Sequence, residues 1–135
     1  MITAKVEYLG ELRTRATHLQ SGESIITDAP VDNRGKGQAF SPSDLAATSL
    51  ASCMITILGI KANSMNLALK GISAEVSKVM YAEPRRIGEI HIKMKVEDNG
   101  FSEKEKQILL HAALACPVAK SLHPDIKQEI VIDFS

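Results

Sequence analysis

SPSDLAATSLASCMITILGIKAN, residues 41–63, is the stretch whose reading decides the fold. Ser41 can cap a helix and Pro42 suits its first position. Asp44, three residues past the cap, sets a carboxylate at the positive helix end. From Leu45 to Ile60 there is no charge, and apolar residues run all the way round rather than along one stripe. That distribution predicts a helix buried inside the fold. Ala46, Ala47, Ser49, Ala51 and Ser52 are small enough to let other elements come close, and one thiol, Cys53, sits at the middle.

Upstream, Ile2, Ala4, Val6 and Tyr8 alternate with polar residues and predict a half-buried strand. Gly10-Glu11 turns into a second strand, Leu12–Leu19, with Arg13, Arg15, Thr17 and Leu19 on one face. Ser21-Gly22 turns again into a short third strand, Ser24–Thr27, which completes a β-meander. Asp28–Phe40 holds two Gly, one Pro, two Asp and one Asn, and reads as a long loop. Loops of that length tend to carry function or disorder.

Downstream, Leu67–Tyr81 alternates with Ile72, Ala74, Val76 and Lys78 on one face, and Val79 and Tyr81 shifted. After a turn at Ala82–Arg86, Gly88–Glu97 is the cleanest strand, with Ile90, Ile92, Met94 and Val96 inward; the two make a hairpin. Ser102 and Glu105 form a capping box for a second helix with Ile108, Leu109, Ala112 and Ala113 on its apolar side. Pro117 disfavours the helical region for the residue before it, so this helix must stop near Cys116. A short third helix should run from Pro117 to before Pro124, and Glu129–Phe134 reads as a closing strand. Strands come in groups, so the class is α+β, and residues 1–135 are expected to form a single domain.

Sixteen basic and sixteen acidic side chains cancel, which leaves no electrostatic footprint for nucleic acid. Without Trp, and with three Phe and two Tyr, there is little for a base-stacking platform. The N-terminus alternates and carries charge early, unlike a signal peptide. The uncharged run Leu45–Ile60 is 16 residues against the about 20 that a bilayer requires. A soluble cytoplasmic protein, with no membrane partner, is the expectation, and its two cysteines should rest reduced.

Cys116 falls at the N-cap of the last short helix, where exposed N–H groups and the dipole should lower its thiol pKa. Cys53 is mid-helix, so a cation from elsewhere would have to stabilise its thiolate. Two readings stand. Free cysteines are often small hydrophobes in a core. Alternatively the two act as a pair, one becoming a sulfenic acid and the other resolving it as a disulfide. The 63 positions between them decide nothing about contact.

FSPSDLAATSLASCM followed by ALACPVAKSLHP resembles the two signatures of the OsmC/Ohr family of organic hydroperoxide reductases: a Ser/Asn-Pro-x-x-Leu helix start leading to a Cys, and a later Cys-Pro-Val/Ile segment. The order of strands and helices resembles the family's layout across nearly the whole chain. The resemblance implies an intertwined homodimer, its long helices central and its sites at the subunit interface. It implies Cys53 as peroxidatic thiol and Cys116 as resolving thiol. It also implies an Arg that holds the Cys53 thiolate, for which Arg34 in DNRGKG and Arg15 on the second strand are the candidates, Arg34 preferred. The substrate implied is an organic hydroperoxide and the reductant a dithiol or lipoyl-type thiol, with no metal or organic cofactor. One residue departs from the pattern. Strongly peroxidatic members carry Glu ten residues before the first Cys, and this chain has Ser43 there, with Asp44 beside it.

That departure keeps an alternative in view: a module of the same fold that binds a hydrophobic ligand or senses redox state, with little peroxidase activity. His18, His91, His111 and His123 lack ligand spacing, apart from His123 seven residues after Cys116, and predict no metal site. His123, before Pro124, could serve as a helix-end partner.

Overall fold

In the computed structural model, which describes residues 1–135, alternating side chains and helix caps produce six strands and three helices in two compact units, residues 1–46 and 47–135. In the first unit β1 (Ala4–Gly10), β2 (Arg13–His18) and β3 (Ser24–Asp28) form an antiparallel sheet in chain order. Gly10 and Gly22 turn with φ of 87° and 81°, a region glycine enters without steric cost. The meander is as expected, but β1 is not half-buried. Val6 and Tyr8, on this edge strand, are 64% and 68% exposed.

The stretch 28–40 is more ordered than a plain loop. Asp28 stands opposite Arg13 across β2 and β3, and its carboxylate is fully buried. It accepts Arg13 Nε at 2.6 Å and the Gln38 N–H at 3.0 Å, which ties the segment back to the sheet. A 3₁₀ turn, Val31–Asn33, ends at Arg34 with φ 67°. Gly35 follows because a Cβ there would lie 1.7 Å from the Ala29 carbonyl oxygen.

Helix α1 (Pro42–Ser64) starts where the sequence predicts. The Asp44 N–H donates to Ser41 Oγ at 3.1 Å and the Ser41 N–H donates to Asp44 Oδ2 at 3.0 Å, a capping box with Asp in the usual Glu place. At 23 residues, with a mean hydropathy of 1.6 over its best 18-residue window, α1 is long and apolar enough to cross a membrane by length and composition. The expectation that it was too short counted only the uncharged run, and the helix extends beyond that run at both ends. Its burial also differs from expectation. Ala47, Leu50, Ala51, Met54, Leu58 and Ala62 are buried along one stripe, while Cys53, Ile55 and Ile57 are half-buried and Ile60 is exposed. The chain's own core uses one side of a helix that is apolar on all sides.

In the second unit β4 (Ile72–Tyr81) pairs antiparallel with β5 (Arg86–Val96), and β6 (Lys127–Phe134) pairs with β5 in parallel. β4 begins later than the alternation from Leu67 suggests, and β6 begins two residues earlier than expected. A parallel return needs a crossover, which α2 (Glu103–Leu114) and α3 (Pro117–Ser121) supply. The capping box at Ser102 and Glu105 forms as read. α3 stops at Ser121, because Leu122 is already extended at ψ 150° ahead of Pro124. Ile90, Ile92, Met94 and Val96 are 0–2% exposed and share one cluster with Leu50, Met54 and Leu58 of α1, Leu109 and Ala113 of α2, and Cys116.

We expect Ile92→Ala, at the centre of that cluster, to cost about 2–5 kcal/mol in urea unfolding. Val131→Ala, exposed on β6, should stay within about 0.5 kcal/mol. Equal effects at the two positions would contradict this account of the core.

Candidate functional site

The second unit brings the two cysteines together. Cys53 lies halfway along α1 and is half-buried, and Cys116, between α2 and α3, is 0% exposed. Both are free thiols, Cys53 packs against the cluster that holds Cys116, and the Cys53 thiol is near enough to push the Cys116 pKa up. Cys116 caps α3: its φ and ψ of −64° and 154° are extended, and its Sγ accepts the Ala119 N–H at 3.4 Å. Pro117 at the first helical position enforces that geometry, since it holds the preceding residue extended.

The thiol of Cys116 is not activated as the sequence suggests. Burial pushes its pKa up, and the hydrogen bond and charge interaction with Cys53 push the same way. The N–H groups of Ala119 and Val118 pull downward, but do not overcome the loss of water. A five-residue helix offers a small dipole, whereas a fully buried sulfur loses all hydration of its anion.

Arg15 and Arg34 belong to the first unit, and both are exposed. Arg15 is on β2 opposite Ile26, and Arg34 closes the 3₁₀ turn with a positive φ. Ser43 shares a hydroxyl–hydroxyl contact with Ser41 at 3.2 Å. Asp44 acts in the cap just described. The sequence reading missed Arg13, whose guanidinium is committed to the buried Asp28. The signal was the strand register, which sets the two directly opposite. The exposed N–H groups that the sequence places at the start of α3 are represented by the Ala119 N–H on the Cys116 sulfur.

Three of the four histidines are engaged locally. His91 Nε2 meets Glu89 Oε1 at 2.8 Å and His18 Nδ1 meets Ser21 Oγ at 2.6 Å. His123 Nδ1 accepts the Asp125 N–H at 3.0 Å, so it braces the turn after α3 rather than a helix end. No three His, Cys, Asp or Glu side chains converge as metal ligands. A groove of about 510 Å³ in this unit is lined by Lys61, Lys104, Gln107, Ile108, His111 and Ala112, and neither cysteine lines it. The thiols locate the site better than the volume does, because they are the reactive groups.

The raised Cys116 thiol carries a sign. Above the unfolded thiol value of about 8.5, the folded state keeps a proton that the unfolded state has lost, so stability falls as pH rises. We expect reduced wild type to lose stability relative to Cys116→Ser between about pH 8 and pH 10, read by urea unfolding at each pH. A relative gain over that range would contradict the assignment.

Comparison with known proteins agrees with the geometry. A family model described as OsmC-like protein matches residues 35–131. A crystal structure from Psychrobacter arcticus 273-4, of a protein described as osmotic stress induced and of the detoxification response, is 58% identical over 98% of this chain and 96% of that one, with a TM-score of 0.92. The organic hydroperoxide resistance protein OsmC of Legionella pneumophila shares the fold at 18% identity, covering 98% of each chain with a TM-score of 0.72. OhrB of Bacillus subtilis, also an organic hydroperoxide resistance protein, shares it at 20% identity and a TM-score of 0.64, again over 98% of each chain. No curated protein matches the chain. The α+β fold with its meander, central helix, hairpin, helix pair and closing strand, together with the match over residues 35–131, makes this chain a member of the OsmC-like family.

Proposed function

We propose that this protein reduces organic hydroperoxides with its two thiols, within a general role in peroxide resistance. The single observation that carries this reading is that Cys53 and Cys116, 63 positions apart, are brought beside each other as free thiols in one packed cluster. Core filler does not require that pairing, and a disulfide between them does.

The Cys53 thiolate attacks the terminal oxygen of ROOH. The O–O bond breaks, the alkoxide leaves and takes a proton as ROH, and Cys53 becomes a sulfenic acid. Cys116 then attacks the Cys53 sulfur, water leaves, and the Cys53–Cys116 disulfide forms. An external dithiol of the lipoyl type returns both thiols and becomes a cyclic disulfide. Cys53 takes the first step because it is the thiol with solvent access. Arg34, and after it Arg15, is proposed as the cation that meets the thiolate and the peroxide. Arg13 is held by Asp28 through its Nε at 2.6 Å and is not among these candidates. The protein is proposed to act as one OsmC-like domain, paired in a homodimer that covers the apolar side chains left exposed on α1 and β1, with Ile60 at 59% and Val6 at 64% exposure.

A second reading, a hydrophobic-ligand-binding or redox-sensing module of the same fold, draws on Ser43 and Asp44. Ser43 carries no charge, and Asp44 is engaged by the Ser41 N–H.

With cumene hydroperoxide and dihydrolipoamide, we expect Cys53→Ser to abolish turnover, a loss of at least about 10³-fold given that the nucleophile is gone. Cys116→Ser should consume about one equivalent of peroxide and stop with Cys53 oxidised to a sulfenic or sulfinic acid. Turnover by Cys53→Ser equal to wild type would overturn the peroxidase reading and favour the binding module.

A further inference from the structure

We propose that the groove between the last turn of α1 and one face of α2 binds a single-chain alkyl carboxylate. Lys104, Gln107, Ile108, His111 and Ala112 recur at three- and four-residue steps, so they share one face of α2. Lys61, in the last turn of α1, completes a space of about 510 Å³. Small-molecule sites measure roughly 300–1,000 Å³, so the volume suits one. Floor and rim differ in character. Ile108 and Ala112 are apolar and half-buried, whereas Lys61, Lys104, Gln107 and His111 are exposed and end in polar groups. No hydrogen bond or ion pair within the chain engages those four side chains.

Charge selects the occupant. Sixteen bases and sixteen acids cancel over the whole chain, and on other surfaces of this unit they meet. Lys106, turned to another side of α2, bonds Asp98 at 3.0 Å, and Lys127 bonds Glu129 at 3.0 Å. Three further grooves mix the signs, with Lys95 beside Glu97, Lys93 beside Glu75, and Lys95 beside Asp133. The groove between α1 and α2 has two ammonium groups and no acid. Two uncompensated cations along an apolar strip are complementary to a molecule with one negative head and an apolar tail. The head gains charge-assisted hydrogen bonds from Lys61 and Lys104, and the Gln107 amide is a further donor. The tail removes Ile108 and Ala112 from water. From Lys104 to His111 the helix rises about 10 Å, which lets a tail lie lengthwise. A bare inorganic anion would leave that strip wet, and the groove has no Arg to grip a phosphate at two points. The inference goes beyond the peroxidase reading and does not rest on it, because neither cysteine lines the groove and binding is measured without peroxide.

The test is isothermal titration of the reduced protein with sodium decanoate, kept below its micelle concentration. We expect one saturable site that weakens as salt is added. Hexanoate, whose shorter tail covers less apolar surface, should bind at least about tenfold more weakly. Decanol, which has the tail without the charge, should bind about five- to tenfold more weakly than decanoate. The double variant Lys61→Gln/Lys104→Gln should lose about five- to tenfold in affinity for decanoate. Lys93→Gln/Lys95→Gln removes the same charge from the mixed-sign grooves and should stay within about twofold of wild type. All four lysines are exposed, so neither variant threatens the fold. Absence of saturable binding, as when a second copy of the chain covers the groove, would overturn the proposal. Equal losses in the two double variants, or decanol bound as tightly as decanoate, would overturn it too. So would displacement of decanoate by an equal concentration of inorganic phosphate, which would make the groove a site for any anion.

Discussion

The packing of one side of α1 into the row of side chains along β5 is the interaction on which the rest depends. Leu50, Met54 and Leu58 share a cluster with Ile90, Ile92, Met94 and Val96, and all seven are at most 2% exposed. Full burial of each such side chain stabilises by about 1.5–3 kcal/mol, so the cluster can fix the helix axially as well as rotationally. Leu109 and Ala113 join it from α2, which sets where α2 ends and therefore where Cys116 stands. The meeting of two thiols from distant parts of the chain is a by-product of that packing. A shift of α1 by one residue would turn Cys53 about 100° away from its partner.

Burial and helix polarity compete at Cys116, and burial wins. The N-cap geometry offers two N–H groups, but the sulfur is removed from water altogether. Such a thiol is badly placed to meet an external oxidant and well placed to meet a neighbour, since a pre-positioned intramolecular partner needs little intrinsic reactivity. Cys53, with part of its surface open, has the complementary properties. In the proposed chemistry, the division of roles between the two would follow from access before any question of charge.

Much of this was legible in the sequence, and the failures have identifiable causes. The Ser41-Pro42 start, the Ser102–Glu105 capping box and the inward row of β5 each rest on local periodicity or caps, and each is found where it was read. The two motifs around Cys53 and Cys116 were legible as a resemblance, but their contact was not, because it depends on α1, α2 and α3 packing together. The direction of the Cys116 shift was misread because a cap is visible in sequence and full burial is not. The exposure of β1 and of Ile60 was also invisible: an apolar residue declares that it will be covered, not that the cover lies in the same chain. The Arg13–Asp28 pair needed a strand register that the turn residues alone do not give.

The most direct test of the central claim, that Cys53 and Cys116 form one redox unit, is to mix reduced protein with one equivalent of cumene hydroperoxide, count free thiols, and map any disulfide by peptide mass. The account requires rapid loss of both thiols for one peroxide, with a Cys53–Cys116 link inside a single chain. Two thiols surviving in folded protein, or a link between cysteines of different chains, would contradict it.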